Sequence, residues 1–418
     1  MTMSKTKKVA ACALLAMTAC EPETPAACEP APGTICTIVG TGRAGLAGDD
    51  GLAREAELYL PMDSTIGPNG DLYVVDWNNH RIRVVSDPLE TSVIETCAGS
   101  GRLGDGPPGP VLEADFNHPT DIVFDGSGHM WIAAWHNSRV RMVDLETDTL
   151  SDVAGTGGRN YFGDGGPASS AVLDLPAGLD FDAAGNLYFV DQANQVIRRI
   201  TTTGTIERVA GMCVTNECAD GETPVACPGG SGRTHCGADV SACDLPCARA
   251  YGGDGGPALE ARFAMPFGQS AEPSGRIAIA GDGTIYFADS HNHRVRVISP
   301  DGMIDTLAGT GTRGYAGDGG PASAAQLDNP VDVELSEDER TLYLTDTFNH
   351  CVRAIDLDAG TIDGVAGRCG TRGFEGDGGD PREALLDRPY GIEIDHATGN
   401  LYVTDTHNHR VRVIVPAT

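Results

Sequence analysis

The chain repeats one unit six times, and that periodicity constrains the fold more than any other property of its 418 residues. The recurring element is an Asp, two variable residues, an Asn and then a basic strand. It reads Asp76-Trp-Asn-Asn-His-Arg-Ile-Arg, Ala134-Trp-His-Asn-Ser-Arg-Val-Arg and Asp191-Gln-Ala-Asn-Gln-Val-Ile-Arg, and again from Asp289, Asp346 and Asp405. The copies start 58, 57, 98, 57 and 59 residues apart, and the long gap is one period plus an insertion of roughly 41 residues. Each copy divides into four short strands. The first follows a Pro (Pro119 to Phe124, Pro389 to Ile394), and a Gly turn leads to the second, such as Asn400 to Thr404. The Asp-x-x-Asn turn leads to the third, such as Arg410 to Ile414, and the fourth ends in a small-Gly pair, as at Ala308-Gly309. Four antiparallel strands repeated six times predict an all-β, six-bladed β-propeller. The sixth copy stops after its third strand, at Val415, and the missing fourth lies at the N-terminus, Thr34 to Gly40. A last blade closed by the N-terminal strand leaves no open edge, which argues against a solenoid or two smaller domains.

The Asn-His-Arg-Val-Arg and Asn-Leu-Tyr-Val-Thr-Asp elements resemble NHL repeats, over about residues 35–418. That resemblance implies a propeller serving as a binding platform or, less often, as an enzyme. Fold alone does not choose between them.

The first 34 residues read as an address and a tether. Lys5, Lys7 and Lys8 precede an apolar stretch, Val9 to Thr18, that is too short to span a bilayer. Leu15-Ala-Met-Thr-Ala-Cys20 resembles the lipobox of bacterial lipoproteins, which implies cleavage after residue 19 and a lipid on the Cys20 thiol. An ordinary secretory signal cut near Ala19 is the alternative. Glu21, in place of Asp, favours the outer membrane over the inner one. Residues 20–34 are rich in Pro and Ala and form an extended tether. With 29 Lys plus Arg against 59 Asp plus Glu, the formal charge is −30. Such a surface repels nucleic acid and anionic lipid, so membrane contact is expected only through the N-terminal lipid.

Thirteen cysteines suit an oxidising compartment. Six of them, Cys213, Cys218, Cys227, Cys236, Cys243 and Cys247, fall in the insertion at 212–250 and read as a three-disulfide knob of unspecified pairing. Cys351 and Cys369 sit at the same end of adjacent strands of one unit, and a bridge between them is expected. Cys28 and Cys36 are a further candidate pair, which leaves Cys97 odd.

Residues present in every unit are expected to serve the unit. The second Arg of the third strand recurs at 83, 141, 198, 296, 353 and 412, and the turn Asp recurs in five of six copies. Both read as a turn cap and a buried hydrogen-bonding pair, and the Asn-His pairs read the same way. The Gly-Asp-Gly-Gly loops at 163, 253 and 317, with variants at 48, 104 and 376, have two readings. An Asp among backbone carbonyls is a calcium ligand set, but each loop offers only one or two carboxylates. Turn chemistry with Gly at positive φ is the plainer reading.

Function is expected where the units differ. The turn positions Trp77, Trp135, His136, His291, Phe348 and His407 should lie on the loop-bearing face. There they suit a protein, peptide or glycan ligand, or else they pack on neighbouring loops. On the innermost strands one parity is apolar and should pack between blades. The other carries Asp63, Asp121, Asp180, Asp332, Glu334 and Glu393, with Arg276 at the equivalent place in blade 4. Lining the axis, these carboxylates could hold a calcium ion or raise one another's pKa; a solvated acidic channel is the alternative. Two functions follow. One is a non-catalytic, surface-tethered binding platform, and the other is a hydrolase or lyase with a divalent cation in the channel.

Overall fold

The computed structural model describes residues 28–90, 92–216, 223–228, 232–237, 241, 243, 245–268 and 270–417. The signal segment, Cys20, most of the tether and Cys218 lie outside the described residues.

Six antiparallel sheets stand around one axis. Blade 1 runs outward from Asp63–Ile66 through Leu72–Asp76 and Arg81–Ser86 to Val93–Ala98. The next five blades have innermost strands at Pro119–Phe124, Pro176–Phe181, Ile277–Ile279, Val333–Leu335 and Gly391–Asp395. These innermost strands touch in sequence order, and the sixth returns to the first. The outermost strand of blade 6 is Ile35–Val39, paired antiparallel with Arg410–Ile414, so the N-terminus closes the ring as expected. Besides strands, the described residues form only single turns of 3-10 helix, and none is long and apolar enough to cross a membrane.

The core is a set of wedges between blades. One apolar cluster fills each interface, for example Val75, Phe116, Ile122 and Ile132 between blades 1 and 2. The apolar parity of the innermost strands lies in these wedges, as expected: Leu179 is in the next cluster, and Ile392 and Ile394 are between blades 5 and 6. Second strands such as Leu72–Asp76 and Leu187–Asp191 are buried along their whole length, because neighbouring blades cover both faces. Their near-continuous apolar sequence is the signature of that position.

The recurring residues form one network per blade. Turn Asp76 accepts the backbone N–H of Tyr59 at 2.8 Å on one oxygen, and takes Asn79 and Arg83 on the other. Asp191, Asp289, Asp346 and Asp405 repeat the pattern. The buried Arg also meets the Asp of the Gly-rich loop: Arg83 with Asp49 at 2.6 Å, Arg141 with Asp105 at 2.7 Å and Arg412 with Asp377 at 2.6 Å. The loop carboxylates considered as calcium ligands are thus held by arginine. Blade 2 lacks the turn Asp, and Arg141 takes Asp152 instead. The residue after each turn Asn adopts left-handed backbone geometry, and in four blades it is a His. His80, His293, His350 and His409 each accept, at Nδ1, a backbone N–H of the next blade. Gln195 does so through its side-chain oxygen in blade 3.

The Gly-rich loops do a second job beyond their turns. Gly51–Leu52, Gly109–Pro110, Gly256–Pro257 and Gly320–Pro321 pair with the outermost strand of their own blade and cover its edge. Gly48, Gly163 and their counterparts have φ near 100°, and a Cβ there would strike the backbone of the following Ala-rich turn. The disulfides Cys28–Cys36, Cys213–Cys247, Cys227–Cys243 and Cys351–Cys369 are formed, and Cys236 is also disulfide-bonded. Cys97 is a free thiol, and burial pushes its pKa up to about 12.

Candidate functional site

The axis and the loop-bearing face both hold the residues expected there, in arrangements the sequence does not reveal. The axial carboxylates form two layers rather than one row. In the first, Asp63, Asp121 and Asp332 converge on the Arg276 guanidinium, which is 3.0 Å from Asp332 and within 3.6 Å of Asp121. The other Arg276 nitrogen donates to the carbonyls of Met62 and Thr120. Arg276 is only 6% exposed. Burial alone would lower its pKa, but the three carboxylates outweigh burial and hold it charged. One guanidinium cannot neutralise three acids, and burial keeps Asp121 above the usual carboxylate range and Asp332 at about 7. The cation these three residues hold is therefore part of the chain. This corrects the expectation that they would present an open calcium ligand set.

The second layer holds Asp180, Glu334 and Glu393. Burial raises all three, Asp180 to about 7, and for Glu334 the nearby Glu393 adds to the shift. Two of them serve the inner sheet edge: Asp180 accepts from Ile279 N–H at 2.7 Å and Glu393 from Ile66 N–H at 2.9 Å. In the first layer Asp332 accepts from Ile392 N–H in the same way. These acids satisfy unpaired donors on the innermost strands, which would otherwise be left without partners. Among the described residues no group of three or more His, Cys, Asp or Glu is arranged to hold a metal ion.

The Asp-x-x-Asn turns, the Gly-rich loops and the insertion emerge together, as expected. Asn79 donates to the carbonyl of Gly45 in its loop, and Asn292 to that of Ala250 at the end of the insertion. The six turn residues expected on this face divide sharply. Trp135 is fully buried, and its indole N–H donates to Gln192 at 3.1 Å. It stacks on His136 at 4.2 Å, while Trp77 packs on His118 at 4.5 Å. His118 in turn meets His80 and His136 edge-on. Burial, then the neighbouring imidazoles, lowers the His118 pKa to about 3. Burial, then Arg159, lowers that of His136 to about 4. The expectation of exposure thus fails for Trp135, because its turn position points inward.

His291 and His407 are exposed and Phe348 is half-buried. His291 and Phe348 line a cavity of about 500 Å³ between blades 4 and 5, together with Arg249, His293, Arg313, Asp328 and Asn329. Arg249 donates to His291 Nδ1 at 2.9 Å, and Asn329 N–H to His293 Nδ1 at 3.1 Å. Burial, then Arg249, lowers the His291 pKa to about 4. The Arg388 guanidinium lies 4.4 Å from the Phe348 ring centre. His407 sits beside Arg388 and Asp387, and burial lowers its pKa. A second, smaller cavity of about 230 Å³ lies across Phe267, bounded by Arg159, Asn160, Pro246 and Cys247. The insertion thus supplies a wall to both cavities.

The residue before each first-strand Pro was missed as a site position. Leu60, His118, Leu175, Asn329 and Arg388 all have positive φ there. His118 joins the aromatic cluster, Asn329 lines the cavity and Arg388 covers Phe348. Its signal was its variability at a fixed offset from the blade start.

Comparison with known proteins agrees with this architecture. A family model for the teneurin NHL domain matches residues 32–231, and one for the NHL repeat matches residues 386–414. The chain is 25% identical over 338 residues to NHL repeat-containing protein 2 of Bos taurus, covering 75% of this chain and 41% of the bovine one. It is 25% identical over 413 residues to teneurin-1 of Mus musculus, covering 92% of this chain and 13% of that protein. The chain therefore spans less than half of either relative. Among solved structures, an auxiliary nutrient binding protein of Bacteroides thetaiotaomicron superposes with a TM-score of 0.58 at 16% identity, over 91% of this chain and 75% of that one. Six blades with one turn network each, and the matches to both models, identify the chain as a β-propeller carrying an NHL repeat domain.

Proposed function

We propose that the protein is an exported, lipid-tethered propeller that binds a ligand on its loop-bearing face without transforming it. The observation that carries this reading is the cavity of about 500 Å³ lined by His291 and Phe348. Its size is that of small-ligand sites. Disulfides across the insertion and at both ends of the propeller suit an exported protein. A nutrient binding protein shares the fold, which is compatible with capture of a soluble ligand. Cys20 would carry the lipid and residues 20–34 would hold the propeller off the membrane, the outer one by the sorting residue Glu21.

Two experiments test this. Hydrogen exchange against a panel of soluble saccharides and peptides should show protection at 290–293 and 347–349. Protection confined to the opposite face, or turnover of any panel member, would overturn the reading. A Cys20→Ser chain should leave the membrane fraction. The catalytic alternative, with a divalent cation in the channel, draws on the raised second layer of Asp180, Glu334 and Glu393. It requires a melting temperature that falls when a chelator is added. The platform reading expects none, because Arg276 already holds the first layer together.

A further inference from the structure

The larger cavity is lined by two guanidiniums and two imidazoles, with Asp328 and the Asn329 side-chain oxygen as its acceptors. Arg249 can only donate, so the His291 Nδ1 beside it is the acceptor and the proton sits on Nε2. His293 Nδ1 accepts the Asn329 N–H, which leaves its own Nε2 as a donor. Both imidazoles are neutral at physiological pH, since burial lowers their pKa. They therefore present fixed N–H groups rather than charges. Arg313 directs Nε to Asp328 at 2.8 Å, and its side chain remains 68% exposed. Asn329 is 3% exposed, and its side-chain oxygen has no hydrogen-bond partner. Phe348 supplies an apolar wall.

Beyond Lys8 the chain contains no lysine, so Arg supplies every permanent side-chain cation of the propeller. In a protein of charge −30, the cavity is lined by Arg249 and Arg313 against the single carboxylate of Asp328, and Arg388 lies behind it over Phe348. Guanidiniums call for carboxylate or sulfate oxygens, and at the protein surface longer-range repulsion is screened within about 8 Å at physiological salt. Neutral imidazole N–H groups and a buried amide call for hydroxyls, and an aromatic wall suits the flat face of a sugar ring. A peptide strand is less well served. Peptides commonly bind by adding to a sheet edge, and here acids occupy inner-edge donors and Gly-rich loops cover outer edges.

We infer that the cavity between blades 4 and 5 takes an acidic saccharide, its anionic group on Arg249 and Arg313 and its hydroxyls on His291, His293 and Asn329. This rests on the binding-platform reading and names the ligand class for the same face. Titration calorimetry of the full mature chain tests it with five probes: tetragalacturonate, its methyl ester, a sulfated galactan tetrasaccharide, a neutral galactan tetrasaccharide and hexaglutamate. At least one acidic saccharide should bind, and the stronger of the two identifies carboxylate or sulfate as the anionic group. The neutral counterpart should bind about ten- to hundredfold more weakly, the cost of one charge-assisted hydrogen bond. Arg249→Ala and Arg313→Ala should each weaken the acidic ligand by a similar factor with unchanged melting. Equal binding of neutral and acidic saccharides overturns the inference and leaves the platform reading standing. Hexaglutamate binding as tightly as the saccharides overturns it in favour of an acidic peptide. Saccharide binding unaffected by either Arg substitution overturns both.

Discussion

Blades 1 to 3 and blades 4 to 6 share one turn, yet they finish the loop-bearing face differently. The first variable residue after the turn Asp points toward the axis, and the second points to the rim. In blades 1 to 3 the first position holds Trp77, Trp135 and Gln192, and Trp135 and Gln192 are fully buried and bonded to one another. In blades 4 to 6 it holds Ser290, Thr347 and Thr406, also buried but small, with Thr347 donating to the carbonyl of Pro389. Large side chains close the mouth on one side, and small hydroxyls leave room on the other. The cavity and the exposed His291 and His407 lie on the open side. One turn position therefore separates a half whose mouth is filled from a half that carries the larger cavity, while the smaller cavity borders blade 3.

The two halves meet at Arg276, which comes from blade 4 and ties to Asp63 of blade 1, Asp121 of blade 2 and Asp332 of blade 5. Its loss should be the most damaging single change. Arg276→Leu leaves three buried carboxylates and the carbonyls of Met62 and Thr120 without their donor. Removing one partner of a buried pair costs about 3–5 kcal/mol, and here the upper end or beyond is expected. Denaturant unfolding should show it. A variant that unfolds one half while sparing the other would break the picture of a common hub.

Trp135→Ala ranks next, at about 3–5 kcal/mol, from the cavity it leaves and the lost indole hydrogen bond to Gln192. Because the closed half is structural, ligand affinity on the open half should be unchanged in the folded fraction. Comparing the unfolding midpoint with calorimetry on the same sample checks both statements.

Much of this architecture is legible in the amino-acid sequence. Period 58, the Pro and Gly offsets and the strand missing after Val415 carry the propeller and its closure, because each reflects a local rule that every blade must obey. The pairs Cys28–Cys36 and Cys351–Cys369 were legible for the same reason. What sequence could not show were contacts between copies. Asp63, Asp121 and Asp332 read as a free acidic row because their partner Arg276 lies 56 to 213 residues away and is the one member of the set with the opposite sign. Trp135 and His291 read alike because both are turn residues. The parity that separates them depends on the direction of a single 3-10 turn, and hydrophobic periodicity carries no information about that. The loop Asp residues were half legible: their Gly neighbours were understood as turn formers, but the buried Arg across the blade was not seen as their partner.

The single most acid-sensitive histidine should be His118, in the closed half. His118 and His136 have folded pKa values lowered from 6.5 to about 3 and about 4, so the folded state excludes a proton that the unfolded state accepts. Stability tied to them is fully present above pH 6.5 and falls as pH drops toward 4. For His118 this amounts to as much as about 2 kcal/mol by pH 5. Turn acids such as Asp191 and Asp405, raised by burial to about 7, act with the opposite sign, gaining stability as pH falls below 7. The useful quantity is therefore the difference between the protein and His118→Gln. The stability gap between the two should shift in favour of the variant as pH falls from 6.5 to 5. A gap that stays constant would mean that His118 does not carry the acid sensitivity.

The smallest expected effect sharpens the comparison most. Arg313 forms one ion pair with Asp328, at 2.8 Å, with its own side chain 68% exposed. Exposed pairs contribute between zero and about 1 kcal/mol, so Arg313→Ala should move the unfolding midpoint by less than that. Asp328 donates its backbone N–H to Asp346, and His293 Nδ1 lies 3.7 Å from its carboxylate. Losing Arg313 leaves one buried carboxylate, Asp328, which borders the open cavity and can be hydrated there, in contrast to the three enclosed around Arg276. If the midpoint instead drops as far as for Trp135→Ala, the open half is as structural as the closed one. The division of the face into a packing side and a binding side would then fail. If the midpoint holds while saccharide affinity falls, the same arginine is shown to act on a ligand and not on the fold.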